Sequence, residues 1–133
     1  LLSLSRASRR GAAEQQRAVE QRFADVASHL LYAEMIATFA RKRREEPKNA
    51  ATVALVQDAF RADFQTMTRI AIDDDVHRRV DVLLARHPLR GADAVHLASA
   101  VLVHDVLQEP ARFACADLAL VTATRAEGLS VAP

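Results

Sequence analysis

Apolar positions along the chain follow two rhythms, a short alternating one and a longer one of three to four residues, and the switches between them divide it into strands and helices. Residues 26–30 are apolar on average, interrupted by Ser28 and His29, and predict a strand feeding a helix that carries Glu34 and ends near the basic run Arg41-Lys-Arg-Arg44. Cations in a last turn suit the negative end of the helix dipole, and Pro47 suits the first turn of a second helix over 47–66. Residues 68–72 alternate and hold two isoleucines, predicting a strand; Asp73-Asp-Asp75 then caps a helix reaching about Arg86, closed by His87-Pro88. Beyond it come a strongly apolar helix over 90–105, a short strand over 112–115, a helix over 117–127 ended by Gly128, and a last strand over 129–131. Upstream, residues 1–11 read as a short helix or irregular start closed by Gly11. Residues 12–24 place Ala12, Val19 and Phe23 at helical spacing among polar residues, the pattern of an exposed amphipathic helix.

Short apolar strands alternating with helices predict an α/β fold with a mainly parallel sheet, because parallel neighbours need helical crossovers. Ligands of such sheets collect outside the carboxyl ends of the strands. Asp117 directly follows one predicted strand and Glu34 follows another by a few residues, so both are expected at the same edge.

Length and composition narrow the picture without changing it. The 133 residues, half of them apolar, suit one domain with one core. With 18 basic against 17 acidic side chains, the overall field does not draw the protein to nucleic acid or to an anionic membrane, so any such contact must be local. One cysteine, Cys115, excludes an internal disulfide, and neither a secretory leader nor a membrane-spanning stretch is apparent; a cytoplasmic protein is expected.

Candidate chemistry lies in three acids. Glu34, Asp93 and Asp117 are each the only acid in the apolar stretches 30–40, 91–103 and 113–121. A carboxylate buried there must be protonated, paired or metal-bound, since its lost hydration costs several kcal/mol. Bland readings exist for each: Glu34 paired with Arg41 or Lys42 across the helix surface, Asp93 as a helix-dipole partner, and Asp117 as an N-cap. Taken together, three oxygen donors and no zinc-type cluster suit Mg²⁺ or Mn²⁺ and phosphate chemistry, the ion activating a water and stabilising charge on a phosphodiester.

The remaining features read more plainly. His96, one turn from Asp93, is placed to hydrogen-bond it, but a single histidine among Ala, Val and Leu is usually a satisfied core residue, and Cys115 is expected to pack as a small apolar side chain. The runs Arg41 to Arg44 with Lys48, and Arg6 with Arg9 and Arg10, fit solvated faces better than phosphate contacts. No Trp, one Tyr and five Phe leave little support for a base-stacking platform, and no glycine-rich phosphate loop is present.

Tyr32-Ala-Glu34, then Leu89-Arg-Gly-Ala-Asp93-Ala-Val-His-Leu-Ala-Ser-Ala100, then Phe113-Ala-Cys-Ala-Asp117-Leu-Ala-Leu followed by Glu127-Gly-Leu129, resemble the PIN-domain nucleases, and within them the VapC-type toxins of bacterial toxin–antitoxin pairs. The resemblance covers nearly the whole chain. It implies a Mg²⁺-dependent endoribonuclease with Glu34, Asp93 and Asp117 as the catalytic, metal-binding acids. It also implies a three-layer fold with a central, mainly parallel sheet flanked by helices, a homodimer, and a cognate antitoxin segment blocking the active-site groove.

One departure stands out. The family begins with a central strand ending in a further aspartate, whereas no acid precedes Glu14 here. By the family's spacing that aspartate falls just before Leu1, so Leu1 to Arg6 resembles the helix after a missing strand, and the chain is expected to be truncated at its amino end. A parallel sheet without its central strand leaves two edges unpaired, and a metal site without one carboxylate binds more weakly, so a weak or inactive enzyme is expected. Two other readings stay open: a degenerate, non-catalytic PIN-like module that only binds an antitoxin or another protein, and an unrelated small α/β domain whose acids are caps and a surface pair.

Overall fold

The computed structural model describes residues 2–4, 24–108 and 111–132, with side chains from Val26 onward. The predicted amphipathic helix over 12–24 and the cations Arg6, Arg9 and Arg10 lie outside the described residues, except that Ala24 opens a strand. Among the described residues, eleven elements follow in order. They are β1 (Leu2–Leu4), β2 (Ala24–Ser28), α1 (Leu30–Glu45), a 3-10 turn (Pro47–Asn49), α2 (Ala50–Thr66) and β3 (Thr68–Ile70). The second half holds α3 (Asp74–Arg86), α4 (Gly91–Leu107), β4 (Ala111–Ala114), α5 (Leu118–Ala126) and β5 (Ser130–Ala132). The fold is mixed α/β, with helix predominating and short strands.

Local chemistry explains most of these boundaries. Asp73 caps α3 by accepting from the amides of Asp75 and Val76 at 3.1 and 3.2 Å, and Val76, Val80 and Leu83 turn one stripe inward. Helix α4 is apolar nearly all round and is accordingly buried, at Ala94, Leu97, Ala98, Ala100 and Val103. Asp117 caps α5, accepting from the Leu120 amide at 3.0 Å. At its other end Gly128 takes φ 83°, and the Leu129 amide reaches back to the Thr124 carbonyl at 3.1 Å while Gly128 bonds Arg125, a Schellman ending that the glycine makes possible.

The sheet order is β3-β2-β1-β4-β5. Strands β2 and β3 pair in parallel, as do β4 and β5, and β1 lies between the two pairs, antiparallel to both. Leu2 stands opposite Val26 on one side and Phe113 on the other. At Leu2–Leu4 this corrects the helical reading, and it corrects the expectation of a sheet lacking its central strand, because these three residues fill the centre. The alternation Leu2-Ser3-Leu4 has strand period, and pairing on both sides occupies the backbone donors and acceptors that β2 and β4 would otherwise leave open. Four strands still run one way, so their carboxyl ends share an edge.

One core joins Val26, Ala111 and Phe113 of the sheet to Val76 and Leu83 of α3, Leu97, Ala98 and Val103 of α4, and Leu120 and Ala123 of α5. A second apolar group, aromatic, fastens α1 to α2: Tyr32 and Phe39 against Phe60 and Phe64, with ring centroids 5.3 to 6.1 Å apart. Among the described residues no helix is long and apolar enough to cross a membrane.

Candidate active site

All three sequence-selected acids come to the carboxyl edge of the parallel strands. Glu34 sits in the second turn of α1, which starts one residue beyond the turn that ends β2. Asp117 follows β4 and opens α5. Helix α4 ends within a few residues of the start of β4 and is about 25 Å long, which carries its first turn, with Asp93, back to the same edge.

The sharpest contact at this edge is one that joins distant segments. His96 Nε2 lies 2.5 Å from Glu34 Oε2, and His96 Nδ1 lies 2.8 Å from the Ser28 hydroxyl at the end of β2. With Glu34 ionised, Nε2–H donates to the carboxylate and Nδ1 accepts the Ser28 proton, so both ring nitrogens of His96 are used. The imidazole is largely enclosed, its side chain 12% exposed against 42% for Glu34. His96 is thus a satisfied interior histidine, but its partner is Glu34 and not Asp93. Asp93, one turn before His96 on α4 and half-buried, makes no side-chain hydrogen bond or ion pair among the described residues. No signal in the segment around His96 identifies Ser28 and Glu34 as its partners, since both lie more than 60 positions away.

A serine, a histidine and an acid in a row suggest a nucleophilic triad, and two observations decide against it. Ser28 is 4% exposed, and the space beside Ser28 and His96 is about 10 Å³, enough for about one water and for no acyl or phosphoryl substrate. The chain of three positions Glu34; it does not attack.

The acids share an edge without sharing a ligand sphere. Among the described residues, no three His, Cys, Asp or Glu side chains stand close enough together to hold a metal ion. Asp117 is exposed and spends Oδ1 on the α5 cap, in keeping with its bland reading. Glu34 pairs with neither Arg41 nor Lys42: Arg41 lies 4.0 Å from Glu45 and Lys42 lies 3.2 Å from Glu46. Arg43 donates to the buried Gln57 at 2.6 Å, so most of the basic run is taken up within α1 and its contact with α2. Cys115 is half-buried, and burial pushes its thiol pKa up, partly offset by a hydrogen bond with Thr124.

Comparison with protein-family models, with curated proteins and with solved structures finds no match for this chain.

Proposed function

We propose that this chain is a PIN-like protein of the VapC type, with a three-layer fold, acting as an endoribonuclease whose centre is the carboxylate edge formed by Glu34, Asp93 and Asp117. The observation that carries this reading is the convergence of the three acids, from three different helices, on the edge where the parallel strands end. Half-buried Asp93, with no partner among the described residues, is the acid whose placement most needs a functional reason.

The cofactor belonging to this reading is Mg²⁺, or Mn²⁺, which when bound supplies an activated water and stabilises charge on the phosphodiester. Among the described residues, the side chains as placed do not form its ligand set. What the chain itself does is hold Glu34: His96 fixes one carboxylate oxygen, and Ser28 fixes the ring. An RNA substrate, a cognate antitoxin, a homodimer and a cytoplasmic setting belong to the same proposal.

A second reading, a non-catalytic PIN-like module binding an antitoxin or other protein, is favoured by the use of Asp117 as a cap and of Glu34 as a histidine partner. One experiment separates the two. RNA incubated with the protein and Mg²⁺ or Mn²⁺ is expected to be cleaved weakly, cleavage stopping with EDTA and with Asp93→Asn while circular dichroism shows the variant folded. Cleavage that survives Asp93→Asn, or its absence in the unaltered protein, rules out the nuclease centre.

A further inference from the structure

We propose that the pocket between the start of α1, the end of α2 and β3 is a subsite for an unpaired nucleobase and its phosphate in a single-stranded RNA. The choice of RNA rests on the ribonuclease reading; the pocket itself rests on the following geometry. It is an open depression of about 730 Å³, within the roughly 300–1,000 Å³ typical of small-ligand sites, and is bounded by His29, Tyr32, Phe64, Gln65, Thr68 and Arg69 among others.

Composition argues against a base-stacking platform because aromatics are few, yet four of the six, Tyr32, Phe39, Phe60 and Phe64, form one cluster. Within it Phe64 is 5% exposed and Tyr32 38%, so Tyr32 is the ring that the cluster supports from behind and leaves open to a ligand. Two guanidinium groups flank this ring system. The Arg69 guanidinium lies 5.8 Å from the Phe64 centroid, and Arg61, whose pKa the neighbouring Tyr32 hydroxyl raises, donates to Asp58 at 3.0 Å. Exposed Arg69 has no carboxylate partner among the described residues.

This donor set selects the ligand class. An apolar partner would leave the Arg69 charge and the amide of Gln65 unanswered. An inorganic anion would leave the aromatic face unused. A planar heterocycle joined to an anion answers both, by stacking on Tyr32 and by a charge-assisted contact from Arg69. Location agrees, because His29 directly follows Ser28, and Tyr32 and Glu34 are two residues apart on α1, on nearly opposite sides of that helix. A strand with one base in the pocket is expected to pass around the start of α1 to bring a neighbouring nucleotide to the acid edge.

The chain offers a direct probe, since Tyr32 is its only tyrosine and it has no tryptophan. A short, labelled, unstructured oligoribonucleotide is titrated in EDTA, following label anisotropy and tyrosine emission together. The expected result is quenching of the tyrosine with the same midpoint as the anisotropy. Tyr32→Phe keeps the affinity and removes the signal, and the exposed-site variant Arg69→Ala weakens binding about tenfold, as does Tyr32→Ala. Binding without quenching, unchanged affinity in Arg69→Ala, no RNA binding, or equal quenching by an acidic peptide overturns the proposal. Its failure is separable from that of the nuclease centre: quenching without Mg²⁺-dependent cleavage sinks only the latter, and cleavage with a KM unmoved by Arg69→Ala sinks only the subsite.

Discussion

Glu34 and His96, 62 positions apart in sequence, form a 2.5 Å contact that ties helix α1 to helix α4 across the end of β2. Because Glu34 keeps 42% of its side chain exposed, the pair is expected to add only about 1 kcal/mol to stability. A double-mutant cycle with Glu34→Ala and His96→Ala, read by urea unfolding, measures this coupling; strict additivity would mean the contact is not formed in solution.

His96→Ala taken alone should cost more than the coupling. It strands the Ser28 hydroxyl, which is 4% exposed and among the described residues bonds only the imidazole, and an unsatisfied buried group costs about 1–3 kcal/mol. Adding Ser28→Ala to the histidine variant should recover part of that loss. A double variant no more stable than His96→Ala would show that water reaches Ser28.

Asp117 has a structural duty that can be separated from any chemical one. Asp117→Ala removes the α5 cap and is expected to cost about 1 kcal/mol, whereas Asp117→Asn keeps an acceptor for the Leu120 amide and should leave the midpoint of thermal unfolding nearly unchanged. If the nuclease reading holds, Asp117→Asn nevertheless loses cleavage. Equal destabilisation by the two substitutions would mean the cap is not made.

Cys115 should react slowly. Burial holds its thiol pKa above the ordinary value, so alkylation by iodoacetamide is expected to lag behind a free cysteine at the same pH and to rise at higher pH. The sign for stability follows: the folded thiol keeps its proton more tightly, so its contribution is complete below the unfolded thiol's pKa of about 8.5 and falls as pH rises beyond it. A pH profile of alkylation matching that of a model thiol would contradict the burial.

Leu97 tests the core. It is fully buried at the contact of α4 with the sheet, and Leu97→Ala is expected to destabilise by about 2–5 kcal/mol in the same unfolding assay. A loss below about 1 kcal/mol would place the core elsewhere.

Residue by residue, legibility in the sequence follows the range of the interaction concerned. Asp73, Asp117 and Gly128 act within a few positions of themselves, and the helix limits they set are readable from their neighbours alone. The period-3.6 and period-2 stretches likewise give α1 to α5 and β2 to β5 to within a few residues. Leu2–Leu4 were unreadable because three residues carry too little periodicity, and their direction depends on the two neighbours they pair with. At the acid edge, the positions of Glu34, Asp93 and Asp117 follow from element order. Which group holds each carboxylate does not: Glu34 meets a histidine from another helix instead of the cations on its own. The aromatic cluster was hidden for the same reason, since Tyr32 and Phe64 meet only when α1 and α2 fold against each other.

The position of β1 also bears on how the molecule assembles. Pairs β2–β3 and β4–β5 each close over a helical crossover, but the seam between them needs Leu2 and Phe113, more than a hundred positions apart, to find each other. Contacts of that separation slow folding, because the entropy of closing the loop is spent before the pairing repays it. Two half-sheets would therefore form early and dock late. Amide exchange during refolding should protect β3 and β5 before Leu2–Leu4, making β1 a latch that closes a sheet already built on either side of it.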